Sequence, residues 1–265
     1  MTGTERTDLL ARLRAQIARI EHGRGEGASL SAFWPLGVPQ VDRHLGGGLP
    51  RGTVHEVTGR GGDTALAALP ARFVAHILGL APGPVAWIGG GFDLYGPGLV
   101  RAGVDPGRLL CIAAEAGDRL AVCEDALHSR GVVAVVAELD GALSLTASRR
   151  LQLAAEAAGV TGFLIRRSSR PDDPALLQPT ACATRWRIGP LPSGAVLAAY
   201  PTVPGVGVAH WSVDLLRHRG GRPASWIMEV GDAPHRLALA AVPAGRTAAA
   251  ATRGAAGPAA GHAVA

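Results

Sequence analysis

The sequence predicts an α/β fold: a mostly parallel sheet flanked by helices, with a helical arm at the N-terminus and antiparallel strands at the C-terminal edge. Two observations carry the core. Between residues 54 and 165, short apolar runs alternate with helix-period segments, the pattern that strand–helix–strand units give. Runs such as Val132-Val133-Ala134-Val135-Val136 are apolar at every position, as strands covered on both faces must be. A third observation sets the edge: after Arg170 the helical period ceases and short Trp-containing runs take over.

Residues 5–22 are amphipathic at helical period, with Leu9, Leu10, Leu13, Ile17 and Ile20 on one stripe and Arg12, Arg14 and Arg19 off it. The stripe either packs on the chain's own core or serves as a docking arm for another chain. A Gly-rich stretch, residues 22–29, reads as a flexible linker. Buried strands are expected at 54–57, 85–88, 109–113, 132–137 and 161–165. Helices are expected at 64–80, 117–130 and 146–158, the last closed by Gly159. Residues 171–183 form a polar, Pro-containing loop. Strands at 186–188, 211–216 and 226–230 follow, the last pair turned by Gly220-Gly221. From Val242 the chain is Ala/Gly-rich with Arg246 and Arg253 and no acid, a disordered tail by composition. The expected organisation is an N-terminal helix at 1–24, a linker at 25–34, the α/β domain at 35–241 and the tail at 242–265.

Composition bounds the function. Of 265 residues, 48% are hydrophobic and 18% charged, ample for a large core. No apolar run reaches the roughly 18–20 residues of a membrane span. Cys111, Cys123 and Cys182 fit neither metal spacing nor even pairing and point to a reduced, cytoplasmic setting. The first residues lack the layout of a signal peptide. All 26 basic residues are arginine. Without lysine, a Schiff base, a pyridoxal anchor and a P-loop lysine are excluded. The net charge of +5 hides a contrast: residues 84–140 carry 4 Arg against 8 acids, and residues 141–190 carry 7 Arg against 3 acids. A basic segment beside an acidic one either steers DNA or an acidic protein, or is an ordinary solvated surface.

Leu36-Gly37-Val38-Pro39-Gln40-Val41-Asp42-Arg43-His44-Leu45, followed by Gly46-Gly47-Gly48-Leu49-Pro50-Arg51-Gly52, resembles the lead-in to the P-loop strand of RecA-like ATPases. Gly103-Val104-Asp105 with Arg108-Leu109-Leu110 continues in step. Two stretches are more specific: Ser148-Arg149-Arg150-Leu151-Gln152-Leu153-Ala154-Ala155-Glu156 with Gly159-Val160-Thr161, and Leu215-Leu216-Arg217 with Ser225-Trp226-Ile227. Over roughly residues 9–237 the chain resembles the ImuA family, RecA-related members of the bacterial SOS mutagenesis cassette. A RecA-like core is what the resemblance implies.

A working P-loop is G-x-x-x-x-G-K-[ST]: backbone N–H groups cradle phosphates, Lys bridges them and the hydroxyl holds Mg²⁺. The stretch that the resemblance aligns with it is Gly59-Arg60-Gly61-Gly62-Asp63-Thr64, with two residues instead of four between Gly59 and Gly62. Asp63 at the lysine position reverses the charge. Unit charges about 4 Å apart interact by roughly 4 kcal/mol at an effective dielectric of 20, so repulsion replaces attraction. Asp63 is expected to cap the helix beginning near Thr64, and Arg60 to supply some positive charge. The acid that positions the attacking water in RecA proteins aligns with Gly91, which carries no base. The Mg²⁺-associated acid aligns with Glu138 or Asp140. The expectation is a degenerate, non-functional nucleotide pocket of Gly59, Arg60, Gly62, Asp63, Thr64, Gly91 and Glu138, with no catalytic residue, metal ligand or cofactor.

The strand at 161–165 ends in Arg166-Arg167, and the segment matching the RecA DNA-binding loop, residues 168–183, follows. Arg166, Arg167, Arg170 and Arg185 flank it as candidate phosphate contacts; ordinary exposed arginines account for them equally well. The resemblance implies a non-catalytic accessory factor in DNA-damage-induced mutagenesis and translesion synthesis, cytoplasmic and nucleoid-associated during the damage response. Its implied partners are an ImuB-like Y-family protein, RecA or an error-prone replicative-type polymerase, with single-stranded DNA as a further candidate and no membrane. Leu9, Leu13, Ile17 and Ile20 are the expected partner contacts. Two alternatives stay open: a DNA-dependent ATPase or recombinase-like enzyme with a divergent P-loop, and a simple DNA-binding module around residues 166–185.

Overall fold

The computed structural model describes residues 32–240 apart from 92–93, 171–172, 194, 198–199, 201–202, 204, 206 and 232–236. The expected arm with Leu9, Leu13, Ile17 and Ile20, and the tail at 242–265, lie outside the described residues. A small antiparallel ribbon, β1 (Phe33–Trp34) with β2 (Leu49–Pro50), brackets α1 (Pro39–His44). The main sheet holds β3 (Val54–Gly59), β4 (Val85–Gly89), β5 (Leu109–Ala113), β6 (Ala134–Asp140), β7 (Thr161–Arg167), β8 (Thr184–Leu191), β9 (Ala209–His218), β10 (Ala224–Val230) and β11 (Leu237–Leu239). Their spatial order is β11-β10-β9-β8-β3-β7-β6-β4-β5. The six strands from β8 to β5 in that order run parallel. β9, β10 and β11 close the sheet antiparallel. Helices α2 (Asp63–Leu66), α3 (Ala68–Gly79), α4 (Gly96–Arg101), α5 (Arg119–His128) and α6 (Leu145–Ala158) flank it. This is the mostly parallel, helix-flanked sheet with an antiparallel edge that the sequence predicts.

Period-two alternation splits each buried strand between two cores. In β6, Ala134 and Val136 face a layer with Trp87, Phe163, Trp186 and the α3 residues Phe73 and Ile77. Val135 and Ala137 face the other, with Cys123 and Leu127 of α5 and Leu151, Ala154 and Ala155 of α6. Apolar residues at every position are thus required, because both faces are covered. Helix α6 begins at Ser144, whose hydroxyl accepts from the Ala147 amide at 3.1 Å, and ends at Gly159 with φ 73°. Glycine takes that left-handed conformation without the strain a Cβ would bring.

Three expectations are corrected. The linker does not extend to residue 34: Trp34 is fully buried, donates from Nε1 to the Ile77 carbonyl at 2.8 Å and meets the Phe163 ring edge-on at 5.8 Å. So large an aromatic surface is stable only when covered, and it pins the chain before Pro35. The helix expected at 64–80 breaks at Ala67 into α2 and α3. Pro70 then falls at the third residue of α3, where the N–H has no partner within the helix to lose. Strand β5, expected to be buried, forms the edge of the sheet, with Leu110, Cys111 and Ala113 exposed.

Candidate functional site

A cleft of about 580 Å³ opens at the carboxyl ends of the parallel strands, lined by Asp63, Ala67, Gly90, Gly91, Arg119, Glu138, Asp140 and Arg167. This end of an open parallel sheet is where ligands bind, because connecting loops diverge there and leave a crevice. Asp63 follows β3, the two glycines follow β4, the acids end β6, and Arg167 ends β7.

The charges in the cleft are already matched to one another. Arg119, the first residue of α5, donates from Nη1 to Oδ2 of Asp140 at 2.6 Å and to the Glu138 carbonyl at 3.3 Å. Its Nε reaches the Ala114 carbonyl at 3.1 Å. Room for this guanidinium comes from Gly90, where a Cβ would lie 1.9 Å from Arg119 Nη2. Arg167 donates from Nη2 and Nε to Oε2 of Glu138 at 2.6 and 3.0 Å, and from Nη1 to the Ala67 carbonyl at 2.6 Å. The other oxygen of Glu138 accepts from Trp87 Nε1 at 3.0 Å.

Asp63 is stitched to the far loop. Its amide donates to the Ser168 carbonyl at 2.9 Å, and its carboxylate accepts from the Ser168 amide at 2.7 Å. Burial holds its carboxyl above the usual aspartate range, and Asp140 and Glu138 push the same way against Arg167 and the Ser168 amide. The expected cap is corrected: Gly62 is the N-cap of α2 and Asp63 is the first helical residue, so its carboxylate spans to Ser168 instead. Thr64 is the second residue of α2. Gly91 lines the cleft with open space around its α-carbon.

Arg60 is also corrected, because it leaves the cleft altogether. Its amide donates to the Ile188 carbonyl at 2.7 Å, and its guanidinium pairs with Asp214 of β9. Gly59 ends β3 opposite Ile188 of β8. Of the expected pocket residues, the structure brings Asp63, Gly91 and Glu138 together and sends Arg60 to the antiparallel side.

The four candidate DNA contacts do not form one surface. Arg166 is 1% exposed and donates to Oε1 of the fully buried Glu56 at 2.7 Å and to the Gly141 carbonyl. Arg185 donates from Nε to Oε2 of Glu56 at 2.9 Å and from Nη2 to the Gln178 carbonyl at 2.5 Å. Arg167 belongs to the cleft. Only Arg170 is exposed. Arginines on interior strands need a carboxylate and carbonyls around them, and these have both. Arg166 and Arg185 are therefore buried structural arginines and do not share a surface with Arg167 and Arg170.

Neither Glu56 nor Arg119 is among the residues expected at a site, and no sequence motif points to Glu56. The signal for Arg119 lay in the run Gly89-Gly90-Gly91, since consecutive glycines at a strand end make room for a large neighbour. Among the described residues, no group of three or more His, Cys, Asp or Glu is placed to hold a metal ion. Nor is any helix there long and apolar enough to cross a membrane.

The strand order and the position of the cleft define a RecA-like α/β protein. The crystal structure of the RadB recombinase matches it with a TM-score of 0.56, covering 79% of this chain and all of that one, at 15% identity, a likeness of fold. Over 219 residues the chain is 42% identical to Protein ImuA from two strains of Caulobacter vibrioides, covering 77% of this chain and 87% of each relative. The chain belongs to the ImuA family. No family model matches it.

Proposed function

We propose that this chain is a non-catalytic RecA-like accessory factor in DNA-damage-induced mutagenesis and translesion synthesis, acting by contact with an ImuB-like Y-family protein, RecA or an error-prone polymerase. One observation carries the non-catalytic reading: both guanidiniums of the cleft are engaged by internal carboxylates, Arg119 by Asp140 and Arg167 by Glu138 at 2.6 Å each. A triphosphate would have to displace both acids while facing Asp63 in the position of the P-loop lysine. Each such repulsion is worth roughly 4 kcal/mol at about 4 Å and an effective dielectric of 20. Membership of the ImuA family supports the pathway. The apolar stripe of Leu9, Leu13, Ile17 and Ile20 supports contact with another chain. In this reading the chain acts in the cytoplasm, at the nucleoid during the damage response.

Two measurements test this reading. Titration with ATP and Mg²⁺ should release no heat and leave the melting temperature unchanged. A bound ligand at a hundredfold its Kd would raise stability by about 2.7 kcal/mol. Leu13→Asp should abolish capture of the purified ImuB-like partner or RecA while leaving the circular dichroism intact. ATP-dependent stabilisation would instead favour an ATPase or recombinase-like enzyme, for which the cleft of about 580 Å³ has room.

A further inference from the structure

Helix α6 has one face explained by packing and one that is not. Inward, Gln152 accepts from the Val54 amide at 3.0 Å, Ser148 accepts from the Ala181 amide at 2.9 Å, and Leu151, Ala154 and Ala155 fill the core. Outward, Leu145 is 57% and Leu153 is 53% exposed. They stand eight residues apart with Arg149 midway, so the three form one stripe. Arg150 beside it is held by Glu124 at 2.6 and 3.2 Å, whereas exposed Arg149 has no hydrogen bond or ion pair among the described residues.

A depression of about 200 Å³ adjoins the stripe, lined by Arg149, Gln152, Leu153, Glu156, Ala181 and Arg219. Glu156, the acid of that rim, is already engaged, by Gln152 at 2.7 Å and by Arg219 at 3.7 Å. Arg219 remains half exposed. The rim therefore offers positive charge next to two leucines and a hollow for a side chain.

We infer that this face of α6 docks an acidic, leucine-bearing helix of another protein, its leucine against Leu153 and its carboxylates at Arg149 and Arg219. Charge complementarity selects that occupant. A second copy about a two-fold axis through the middle of the stripe would set Arg149 against Arg149, like charge on like. The chain's own residues 1–24 carry 5 Arg against 3 acids and are repelled as well. A nucleic acid would satisfy the arginines but leave both leucines in water. Interfaces combine apolar anchors with arginine in this manner, and an amphipathic helix supplies both at helical spacing. The inference rests on the accessory-factor reading only in assuming that a protein partner exists.

The test uses the full chain and two fluorescent synthetic helices, identical in their leucines and carrying either glutamates or lysines on the flanks, followed by anisotropy. The glutamate helix should bind about tenfold or more tightly than the lysine helix. Arg149→Glu with Arg219→Glu should invert that preference, and Leu153→Asp should weaken both with the circular dichroism unchanged. No binding of the glutamate helix, or equal binding to the Arg149→Glu/Arg219→Glu chain, overturns the inference. A single-stranded oligonucleotide retained through Arg149, or a dimer lost in Leu153→Asp by sedimentation, overturns it too. If peptide binding fails while Leu13→Asp still abolishes partner capture, only the α6 surface falls. If capture proves insensitive to Leu13 while the peptide result holds, only the arm assignment falls.

Discussion

Arg166 and Glu56 form an ion pair in the interior, Nη1 to Oε1 at 2.7 Å, with the side chains 1% and 0% exposed. The same carboxylate accepts from Arg185 at 2.9 Å and from the Thr180 hydroxyl at 2.8 Å, so one acid ties β3 to β7, β8 and the end of the loop between them. Burial pulls the Arg166 guanidinium below its usual value, and Glu56 pulls it back. A desolvated cation of this kind is tolerable only while its partner stays in place.

Removing that partner is therefore expected to be severe. Glu56→Ala should lose about 3–5 kcal/mol in urea unfolding, because Arg166 would remain buried and unpaired. Arg166→Ala should do similar damage from the other side. Arg170→Ala, on an exposed residue, should stay within about 0.5 kcal/mol. Equal, small effects at all three positions would show Arg166 to be a surface arginine after all.

His55 sets an acid limb on stability. It is fully buried, bonded to Thr184 Oγ1 at 2.8 Å and to the Pro50 carbonyl at 3.0 Å, and burial pushes its imidazole down to about 4. In the unfolded chain a histidine titrates near 6.5. Between these values the unfolded chain takes up a proton that the native one refuses, so stability falls as pH drops from about 6.5 to 4 and is flat with respect to this group below that. A shift of this size is worth about 3 kcal/mol. His55→Gln should shrink the difference between the unfolding free energies from urea titration at pH 7 and pH 4 by about that amount; an unchanged difference would place the acid sensitivity elsewhere.

The two-face burial of residues 134–137 and the close of α6 at Gly159 were legible because they are local: period two and a left-handed glycine each act within a few residues. The exposure of β5 was not, since an apolar pentad reads alike at the edge and the centre of a sheet. The fate of Arg166 and Arg185 was hidden for a related reason. Their partner Glu56 lies 110 and 129 residues away, and only the strand order brings it between them. In the cleft, Asp63 and Glu138 could be placed by alignment with a known motif, but Arg119 comes from a helix that the motif does not include.

Gly90 and Arg119 should behave as a coupled pair. A methyl group at Gly90 would sit 1.9 Å from the Arg119 guanidinium and expel it from Asp140 and from the carbonyls of Ala114 and Glu138. Gly90→Ala should therefore cost about 1–3 kcal/mol in the parent chain and markedly less in an Arg119→Ala background. The coupling from a double-mutant cycle in urea measures this directly. Strict additivity would mean that the guanidinium does not occupy the space above Gly90.

If the cleft refuses a nucleotide, as proposed, Asp63 separates two reasons for it, reversed charge and a shortened loop with its arginines already paired. Because burial holds its carboxyl above the usual range, the ionised form is disfavoured in the native chain, and its contribution to stability falls as pH rises through the folded pKa. Asp63→Asn keeps an oxygen for the Ser168 amide and removes the charge, so at neutral pH it should be as stable as the parent or slightly more so. Asp63→Lys restores the lysine of a working P-loop but loses the Ser168 acceptor and puts an ammonium beside Arg167, now 4.0 Å from the Asp63 carboxylate. The loop from Gly59 to Gly62 is still two residues short, and Arg119 and Arg167 are still held by Asp140 and Glu138. Calorimetric titration of Asp63→Lys with ATP and Mg²⁺ should accordingly give no heat of binding. Micromolar binding by that single variant would show that charge alone kept the nucleotide out, and that the internal ion pairs yield readily to phosphate.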